Sequence, residues 1–270
     1  VEAHIVPGGT EKQRLNDYLL GVFSSLPSRK SVKKAIDKSR VLVDGALAST
    51  GLWVKPGMHI QLLQSVERPI YELDIPVVYE DEHLAIVNKP AGLTTSGNTF
   101  KTLENTLLFN LKEVGHYRPQ PVHRLDRATS GLLIIAKSAT SRVLIGELLA
   151  DRKVTKIYHA IVNGDSIKPM SIDNQIDNKL AITDILEVKP TMKDQLQLLK
   201  LSPQTGRTHQ LRIHCANYGF PIVGDTQYGD YSIGKGLLLC ATQLIFKHPL
   251  NESLMDIQID LPRKFQKLMP

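Results

Sequence analysis

The order of strand-like and helix-like segments is the feature that most restricts the folds open to this chain of 270 residues. From Ile75 onward, short apolar or alternating segments typical of strands follow one another without a helix regularly placed between them. A doubly wound parallel sheet needs such helices, because parallel strands are joined by crossover connections. The order therefore favours an α+β domain over 75–270.

The elements of this domain are predicted from apolar periodicity and from turn residues. Strands are predicted at 77–79, 84–88, 132–136, 156–162, 196–201 and 237–246, and helices at 103–112, 143–150 and 208–218. The proline-rich stretch 117–121 is predicted to be extended, because the residue before a proline avoids the helical region.

Residues 12–66 are predicted to form a small domain of their own. Apolar residues at helical spacing predict a first helix from Leu15 to Phe23, and Ser31 is the expected N-cap of a second helix that ends near Ser39. A strand at 41–43, an Asp-Gly turn and a strand at 58–62 complete the unit. The segment 67–74, which contains a proline, is predicted to be a linker.

The composition excludes several classes of protein. Hydrophobic residues are 42% of the chain and charged residues 22%, which argues against a disordered chain, a collagen or a coiled coil. Two cysteines are too few for a disulfide scaffold or a four-thiolate metal site. No apolar run approaches the ~20 residues of a membrane span, and no basic and apolar leader opens the sequence, so we expect a cytoplasmic protein without a membrane partner.

The net charge of +6 is concentrated near the beginning of the sequence. The first 70 residues hold ten Lys and Arg against six Asp and Glu, a net +4, which leaves +2 for the other 200. The second predicted helix carries a basic face made of Arg29, Lys30, Lys33, Lys34 and Lys38. Such a face suits an RNA backbone, since each phosphate contact releases a counterion, although a solvated helix face is the alternative.

The segments around this basic helix carry a resemblance. The Val-Leu-Val-Asp-Gly strand and turn at 41–45 and the Lys-Pro-Gly turn at 55–57 follow the helix in order. Together they resemble the small RNA-binding domain first seen in a ribosomal small-subunit protein. The resemblance covers 12–66 and implies that the second helix and the following loop meet structured RNA.

The segment His-Arg-Leu-Asp-Arg-Ala-Thr-Ser-Gly-Leu at 123–132 holds the main candidate for catalysis. Asp126 stands between Arg124 and Arg127, with Thr129 close behind, and neighbouring cations and hydroxyl donors favour the ionised carboxylate. An ionised aspartate can act as a nucleophile or a base. Taken alone, the same residues also fit a structural turn closed by a salt bridge.

Four further motifs occur in a fixed order around this segment: Asn-Lys-Pro-Ala-Gly at 88–92, Lys-Ile-Tyr-His-Ala-Ile-Val-Asn-Gly at 156–164, Thr-Gly-Arg-Thr-His-Gln-Leu-Arg-Ile-His at 205–214 and Gly-Phe-Pro-Ile-Val-Gly-Asp at 219–225. With the central segment they resemble the pseudouridine synthases of the RluA type over nearly all of 75–250. Two departures are modest: the family usually has a histidine where this chain reads Leu93–Ser96, and it favours His-Ala where this chain has Cys240 and Ala241.

The resemblance implies an RNA isomerase with a mixed, mainly antiparallel central sheet and flanking helices. In this family the bond from the uracil ring nitrogen to ribose is cut, the base rotates, and its carbon 5 joins the same ribose carbon. Substrate and product are isomers, so no cofactor and no metal is implied. His123 and Thr129, inside the signature, are expected to contact the substrate.

The resemblance also assigns roles to single residues. Asp126 is expected to be the catalytic carboxylate, by covalent attack or by removal of a ribose proton, and Tyr158 to be the platform under the uracil. Arg124 is expected to fill the gap left by the flipped base. Arg207 is expected to hold the carboxylate charged and oriented, with Arg212 as the second choice.

Several alternatives stay open. The expected substrate is large-subunit (23S) ribosomal RNA, because in this family a leading RNA-binding domain usually accompanies enzymes of ribosomal RNA; transfer RNA is the second choice. A non-catalytic RNA-binding or ribosome-assembly factor of the same fold is a second class, and a nucleoside hydrolase or glycosidase is a third. The last usually needs a second carboxylate. No obligate protein partner is evident from the sequence.

Overall fold

The structure is a computed structural model that describes residues 2–63, 70–112, 114, 117–229 and 236–270. Contacts divide the chain into two units, Val1–Arg68 and Pro69–Pro270. Residues 64–66 of the predicted small domain and 67–69 of the predicted linker lie outside the described residues. In the described part of the chain, no helix has both the length and the apolar character to cross a membrane.

The described part of the first unit combines two helices with a four-stranded antiparallel sheet of order β1-β4-β2-β3. Its elements are β1 (Glu2–Ile5), α1 (Leu15–Tyr18), α2 (Arg29–Asp37), β2 (Val41–Val43), β3 (Ala46–Leu47) and β4 (His59–Leu62). The predicted hairpin is present: Asp44 and Gly45 both have positive φ, of 51° and 80°, as a two-residue turn between twisted strands requires.

Three features of this unit differ from the sequence prediction. The first helix is only one turn long, and strand β1 was not predicted. The second helix begins at Arg29 because Ser28, and not Ser31, is its N-cap: the two serines exchange hydrogen bonds between each backbone N–H and the other hydroxyl. Val32, Ala35 and Ile36 are buried, so the basic residues of α2 lie on the opposite, exposed face.

The second unit is built around a ten-stranded sheet whose main path is β10-β11-β12-β9-β13-β8-β6-β5. Its elements are β5 (Val77–Glu80), β6 (Leu84–Lys89), α3 (Leu103–Asn110), β7 (Gln120–Pro121), β8 (Ser130–Ala136), α4 (Ala139–Ala150), β9 (Thr155–Asn163), β10 (Met170–Ile176), β11 (Lys179–Pro190), β12 (Leu196–Pro203), α5 (Gln210–Asn217), β13 (Leu239–Lys247), β14 (Leu254–Gln258) and α6 (Arg263–Gln266). Among the described strands, only β8 and β13 pair in parallel. The predicted α+β class with a mixed, mainly antiparallel sheet is confirmed.

Both faces of the sheet centre are covered, which explains the continuous apolar sequence of β8. Leu133 belongs to the same core cluster as the apolar side of α3, and its neighbour Leu132 belongs to the cluster that includes Ile145 of α4. Successive side chains of a strand point to opposite faces, so a strand covered on both sides needs an apolar residue at every position.

The parallel pairing of β8 with β13 depends on Gly131, the one glycine of the central motif at 123–132. Its φ is +118°, and a Cβ at this position would overlap the backbone of Ala241 on β13. A glycine is therefore needed where the two strands meet. This close approach fixes the start of β8 and, with it, the end of the loop that carries Asp126.

Candidate active site

Asp126 lies in the loop 122–129 between β7 and β8, on the wall of a cavity of about 260 Å³. Its side chain is 19% exposed, and among the described residues that line the cavity it is the only carboxylate. The cations that share the lining are Arg124, Lys156, Arg207 and Arg212. A partly exposed acid among several cations is suited to act on an anionic substrate such as RNA.

Hydrogen bonds to the segment after β6 hold this loop in place. The buried Thr95 hydroxyl donates to the carbonyl of Leu125 (2.9 Å) and accepts from its N–H (3.2 Å). On the other side of Asp126, Arg127 donates through Nε to the Gly92 carbonyl (3.0 Å), and the Gly92 N–H donates to the Arg127 carbonyl (2.7 Å). The backbone on both sides of the aspartate is therefore fixed.

Lys89 also supports this loop. It belongs to the Asn-Lys-Pro-Ala-Gly motif, for which the sequence predicted no catalytic role. Its ammonium is fully buried and donates to the carbonyls of Leu93, Pro90 and Arg127. Burial lowers the pKa of Lys89 to about 8, and the nearby charge of Asp126 opposes this shift. A buried cation needs such partners, so the loop and the lysine stabilise each other.

Arg212 is the cation that approaches Asp126 most directly. Its Nη1 lies 3.9 Å from Oδ2 of Asp126, while Nε and Nη2 donate to the two carboxylate oxygens of Asp225 at 2.7 and 2.8 Å. This bidentate contact to Asp225 raises the pKa of Arg212 against the effect of burial. Burial acts to raise the pKa of Asp225, but hydrogen bonds from Arg212 and from backbone N–H groups lower it overall.

The structure does not bring Arg207 into contact with Asp126. This residue lines the cavity, but its Nε donates to the carbonyl of Leu180 (3.0 Å), and it makes no ion pair with Asp126. Helix α5 begins three residues later, so Arg212 lies within its first turn while Arg207 lies in the loop before it. Arg212, the second choice for this role, is therefore the arginine that lies beside Asp126.

His209, inside the motif at 205–214, lies close to Asp126 although the sequence predicted no role for it. Its Nε2 lies 3.8 Å from Oδ1 of Asp126, and its Nδ1 is 2.9 Å from the hydroxyl of Tyr228. Its φ of 55° is unusual for a residue with a side chain and occurs at the N-cap of α5. Backbone strain of this kind is often found at functional sites, and it could not be predicted from the sequence pattern.

Tyr158, on β9, forms an apolar surface beside the carboxylate. Its side chain is 9% exposed and lines the same cavity as Asp126. Burial raises the pKa of Tyr158 strongly, and the charge of Asp126 adds to the shift. The phenol is therefore neutral, as a platform for an uncharged uracil requires.

His123 and Thr129 also line the cavity, with different availability. Nε2 of His123 accepts a hydrogen bond from the Ile134 N–H (3.1 Å), and burial together with the charge of Lys156 lowers the pKa of His123 to about 3. This histidine is a neutral group with one nitrogen already engaged. The buried Thr129 hydroxyl has no hydrogen-bond partner among the described residues.

Arg124 and the basic face of α2 are exposed. Arg124 lines the rim of the cavity without an ion pair in the described part of the chain. In the first unit, the ammonium-bearing residues of α2 are all exposed: Lys30, Lys33, Lys34 and Lys38. Arg29 differs from them because its Nε pairs with Asp17 at 3.0 Å, so part of its charge is neutralised within the unit.

No group of three or more His, Cys, Asp or Glu side chains in the described ranges is arranged to hold a metal ion. The residues around Asp126 include cations, hydroxyls, two histidines and the ring of Tyr158. Such a set can bind a phosphate backbone, orient a carboxylate and hold a planar base.

Comparisons with known proteins agree with this geometry. The family model of RNA pseudouridylate synthase matches residues 83–217. The chain is 32% identical to an uncharacterized RNA pseudouridine synthase of Aquifex aeolicus (strain VF5), over 96% of this chain and 93% of that protein. It is also 32% identical to the ribosomal large subunit pseudouridine synthase D of Pseudomonas aeruginosa, over 83% and 76% of the two chains.

Among solved structures, the human RNA pseudouridylate synthase domain containing 1 superposes with a TM-score of 0.58 and 26% identity, over 69% of this chain and 83% of that one. The family model covers the segments that carry Asp126, Tyr158 and Arg212. The chain therefore belongs to the RNA pseudouridylate synthase family, in its RluA type, and is an isomerase that acts on RNA.

Proposed function

We propose that this chain converts uridine to pseudouridine in large-subunit ribosomal RNA and that Asp126 is the reacting carboxylate. The observation that carries the proposal is the position of Asp126: it is the one acid among the described residues of a cationic cavity, with Arg212 and His209 within 4 Å of its oxygens. An acid in this setting can meet a ribose whose phosphates are bound by the surrounding cations.

The reaction balances without any external reagent. The bond between ribose carbon 1 and ring nitrogen 1 breaks, a bond between the same ribose carbon and ring carbon 5 forms, and one proton moves from carbon 5 to the ring nitrogen. Asp126 acts either by attack on the ribose carbon or by removal of a ribose proton, and both routes need its carboxylate aimed at the sugar. Arg212, locked on Asp225, supplies the fixed positive charge that aims it.

Tyr158 supports the uracil while it is detached. The ring forms the apolar wall next to Asp126, so the loosened base rotates against a surface that offers no competing charge. Thr129 lines the same cavity, and its unpartnered hydroxyl gains a hydrogen bond with the base or the sugar when the side chain turns toward the ligand. These contacts keep the base close to the ribose after the bond is cut.

The target nucleotide must leave its stack before it can enter the cavity, which costs a few kcal/mol. Arg124, exposed at the rim, is the residue we assign to the vacated position, since its planar cation can stack on bases and bind phosphate. The exposed lysines of α2 are assigned to the phosphate backbone at another part of the RNA.

Ribosomal RNA is favoured over transfer RNA because several relatives, such as the Pseudomonas aeruginosa protein, are named for the ribosomal large subunit. An enzyme of ribosomal RNA works in the cytoplasm, where we place this protein. Chemical mapping of pseudouridines in total RNA, from cells with and without the gene, identifies the substrate directly. We expect the missing modification in large-subunit RNA; a site lost from transfer RNA instead would select the second substrate.

Asp126→Asn tests the catalytic role within the same experiment. The amide keeps the size of the side chain and removes the charge, so we expect no restoration of the lost pseudouridine. Binding of the RNA by the variant should stay within a few-fold of the wild type. A variant that restores the modification fully would exclude Asp126 as the catalyst, and a wild-type protein that restores none would favour a non-catalytic RNA-binding factor.

A further inference from the structure

The loop that carries Asp126 separates two cavities of the second unit. Asp126 lines the cavity described above, whereas the next residue, Arg127, lines another of about 520 Å³. The rest of the second lining comes from Tyr71, Leu73, the segment 90–94, Thr99 and Lys101. Consecutive Cα atoms are about 3.8 Å apart, so at this point the backbone of the loop forms part of the wall between the two cavities.

This wall is rigid before any ligand binds. Thr95 holds Leu125 by two hydrogen bonds, and Gly92 and Arg127 hold each other by two more. The buried ammonium of Lys89 adds a contact to the Arg127 carbonyl (3.4 Å). A ligand in the second cavity is therefore fixed relative to the catalytic carboxylate without a conformational change.

The lining of the second cavity has the chemistry of a nucleotide site. Lys101 and Arg127 are exposed, neither has a carboxylate within ion-pair distance among the described residues, and no acid lines the cavity. The ring of Tyr71 packs against Phe100, with centroids 5.3 Å apart and an interplanar angle of 55°, which holds it in one orientation. An aromatic ring beside two cations that have no carboxylate partner among the described residues fits a base and its phosphate.

We propose that this second cavity binds the nucleotide adjacent to the target uridine, with its base against Tyr71 and its phosphate at Lys101 and Arg127. The proposal rests on the proposed function, because it needs the target ribose at Asp126. A nucleotide joined to the target by one phosphate is always present when the target ribose lies at Asp126, and the second cavity borders the same loop. The contact makes RNA binding depend on the presence of a base at one neighbour of the uridine.

The test uses a hairpin RNA built around a uridine that the wild-type enzyme modifies. Each nucleotide that flanks the uridine is replaced in turn by an abasic residue, and the KM and kcat of the full-length enzyme are measured for every RNA. We expect one of the abasic positions to raise the KM of the wild type about tenfold, with kcat nearly unchanged, since loss of one stacked base weakens binding by about that amount.

The variants Tyr71→Ala and Tyr71→Phe then identify the partner of that base. Tyr71→Ala should raise the KM for intact RNA by the same factor and show no further loss with the abasic RNA, while Tyr71→Phe should behave like the wild type. Lys101 is exposed, so we expect Lys101→Gln to fold normally and to raise KM for both the intact and the abasic RNA. Phe109→Ala and Lys247→Gln, exposed residues of the same unit that line neither cavity, are the matched controls.

If the KM increase from Tyr71→Ala and the KM increase from the abasic RNA multiply when the two changes are combined, the proposal is overturned. It is also overturned if neither Tyr71→Ala nor Lys101→Gln changes KM. Failure of the proposed function gives a different result, because the wild-type enzyme then forms no pseudouridine in any RNA offered.

Discussion

The hydroxyl of Tyr158, a residue that lines the cavity of Asp126, can be tested by removing a single atom. It makes no hydrogen bond to a described residue, and burial raises its pKa, so at neutral pH it carries a proton that the protein does not use. A buried hydroxyl without a protein partner is left to the substrate. If the hydroxyl helps to remove the proton from carbon 5 of the base, Tyr158→Phe should fold and bind RNA while its single-turnover rate falls about 100-fold.

The control for this substitution is Tyr218→Phe, which removes the same atom from a ring that is 39% exposed and lines neither cavity. Rates are measured at saturating RNA, so that binding does not contribute. A Tyr158→Phe enzyme with a near-normal rate would reduce the residue to a flat support for the base.

The two arginines of the Thr-Gly-Arg to Ile-His motif show how far the sequence determines this site. The motif predicted an arginine beside Asp126, and Arg212 lies there. The choice between Arg207 and Arg212 depends on where α5 begins and on Asp225, thirteen residues further along the chain. Such a distant hydrogen bond is not encoded in local spacing, so Arg212 was only the second choice.

The hairpin of β10 and β11 was missed for a related reason. Its strands alternate between buried and exposed positions with many polar residues, which resembles a loop when no partner strand is known. The signal that was available is the pair Asp177 and Asn178, whose positive φ values of 52° and 58° form a two-residue turn. The hairpin matters to the site, because Leu180 holds Arg207 and Thr183 accepts a hydrogen bond from Gln210 of α5.

The RNA-binding role proposed for helix α2 can be tested on the helix as a whole. We expect the fourfold variant with glutamine at Lys30, Lys33, Lys34 and Lys38 to bind RNA more weakly and with a flatter dependence on salt. The physical reason is that each lost phosphate contact removes roughly 0.7 to 0.9 from the slope of log affinity against log salt. Glutamine is a good helix former, and the Ser28 cap is untouched, so the helix should persist.

The matched control removes four exposed lysines of the second unit that line neither cavity: Lys168, Lys193, Lys247 and Lys267. It changes the net charge by the same amount, so any difference between the two variants reports position rather than charge. An equal change of salt slope in both would assign the RNA path to another surface.

The molecule has separate cores in its two units. The described core of the first unit is a cluster of its own, in which Leu15, Val32, Val41 and Ile60 are fully buried, and the clusters around the large sheet contain no residue of that unit. A unit with its own core can unfold by itself. The single tryptophan of the chain, Trp53, lies in the first unit, so its fluorescence reports on that unit alone.

This division predicts a selective effect of Ile60→Ala. Truncation of a fully buried isoleucine costs about 2–5 kcal/mol, so the tryptophan transition should move to lower temperature, while the circular dichroism transition of the large sheet stays in place. Leu133→Ala, in the second core, should do the reverse. At a temperature between the two transitions, the Ile60→Ala enzyme should keep its kcat at saturating RNA and show a raised KM, because Asp126 and its partners all belong to the second unit. If kcat is lost together with the tryptophan transition, the first unit contributes to the chemistry itself and not only to RNA binding.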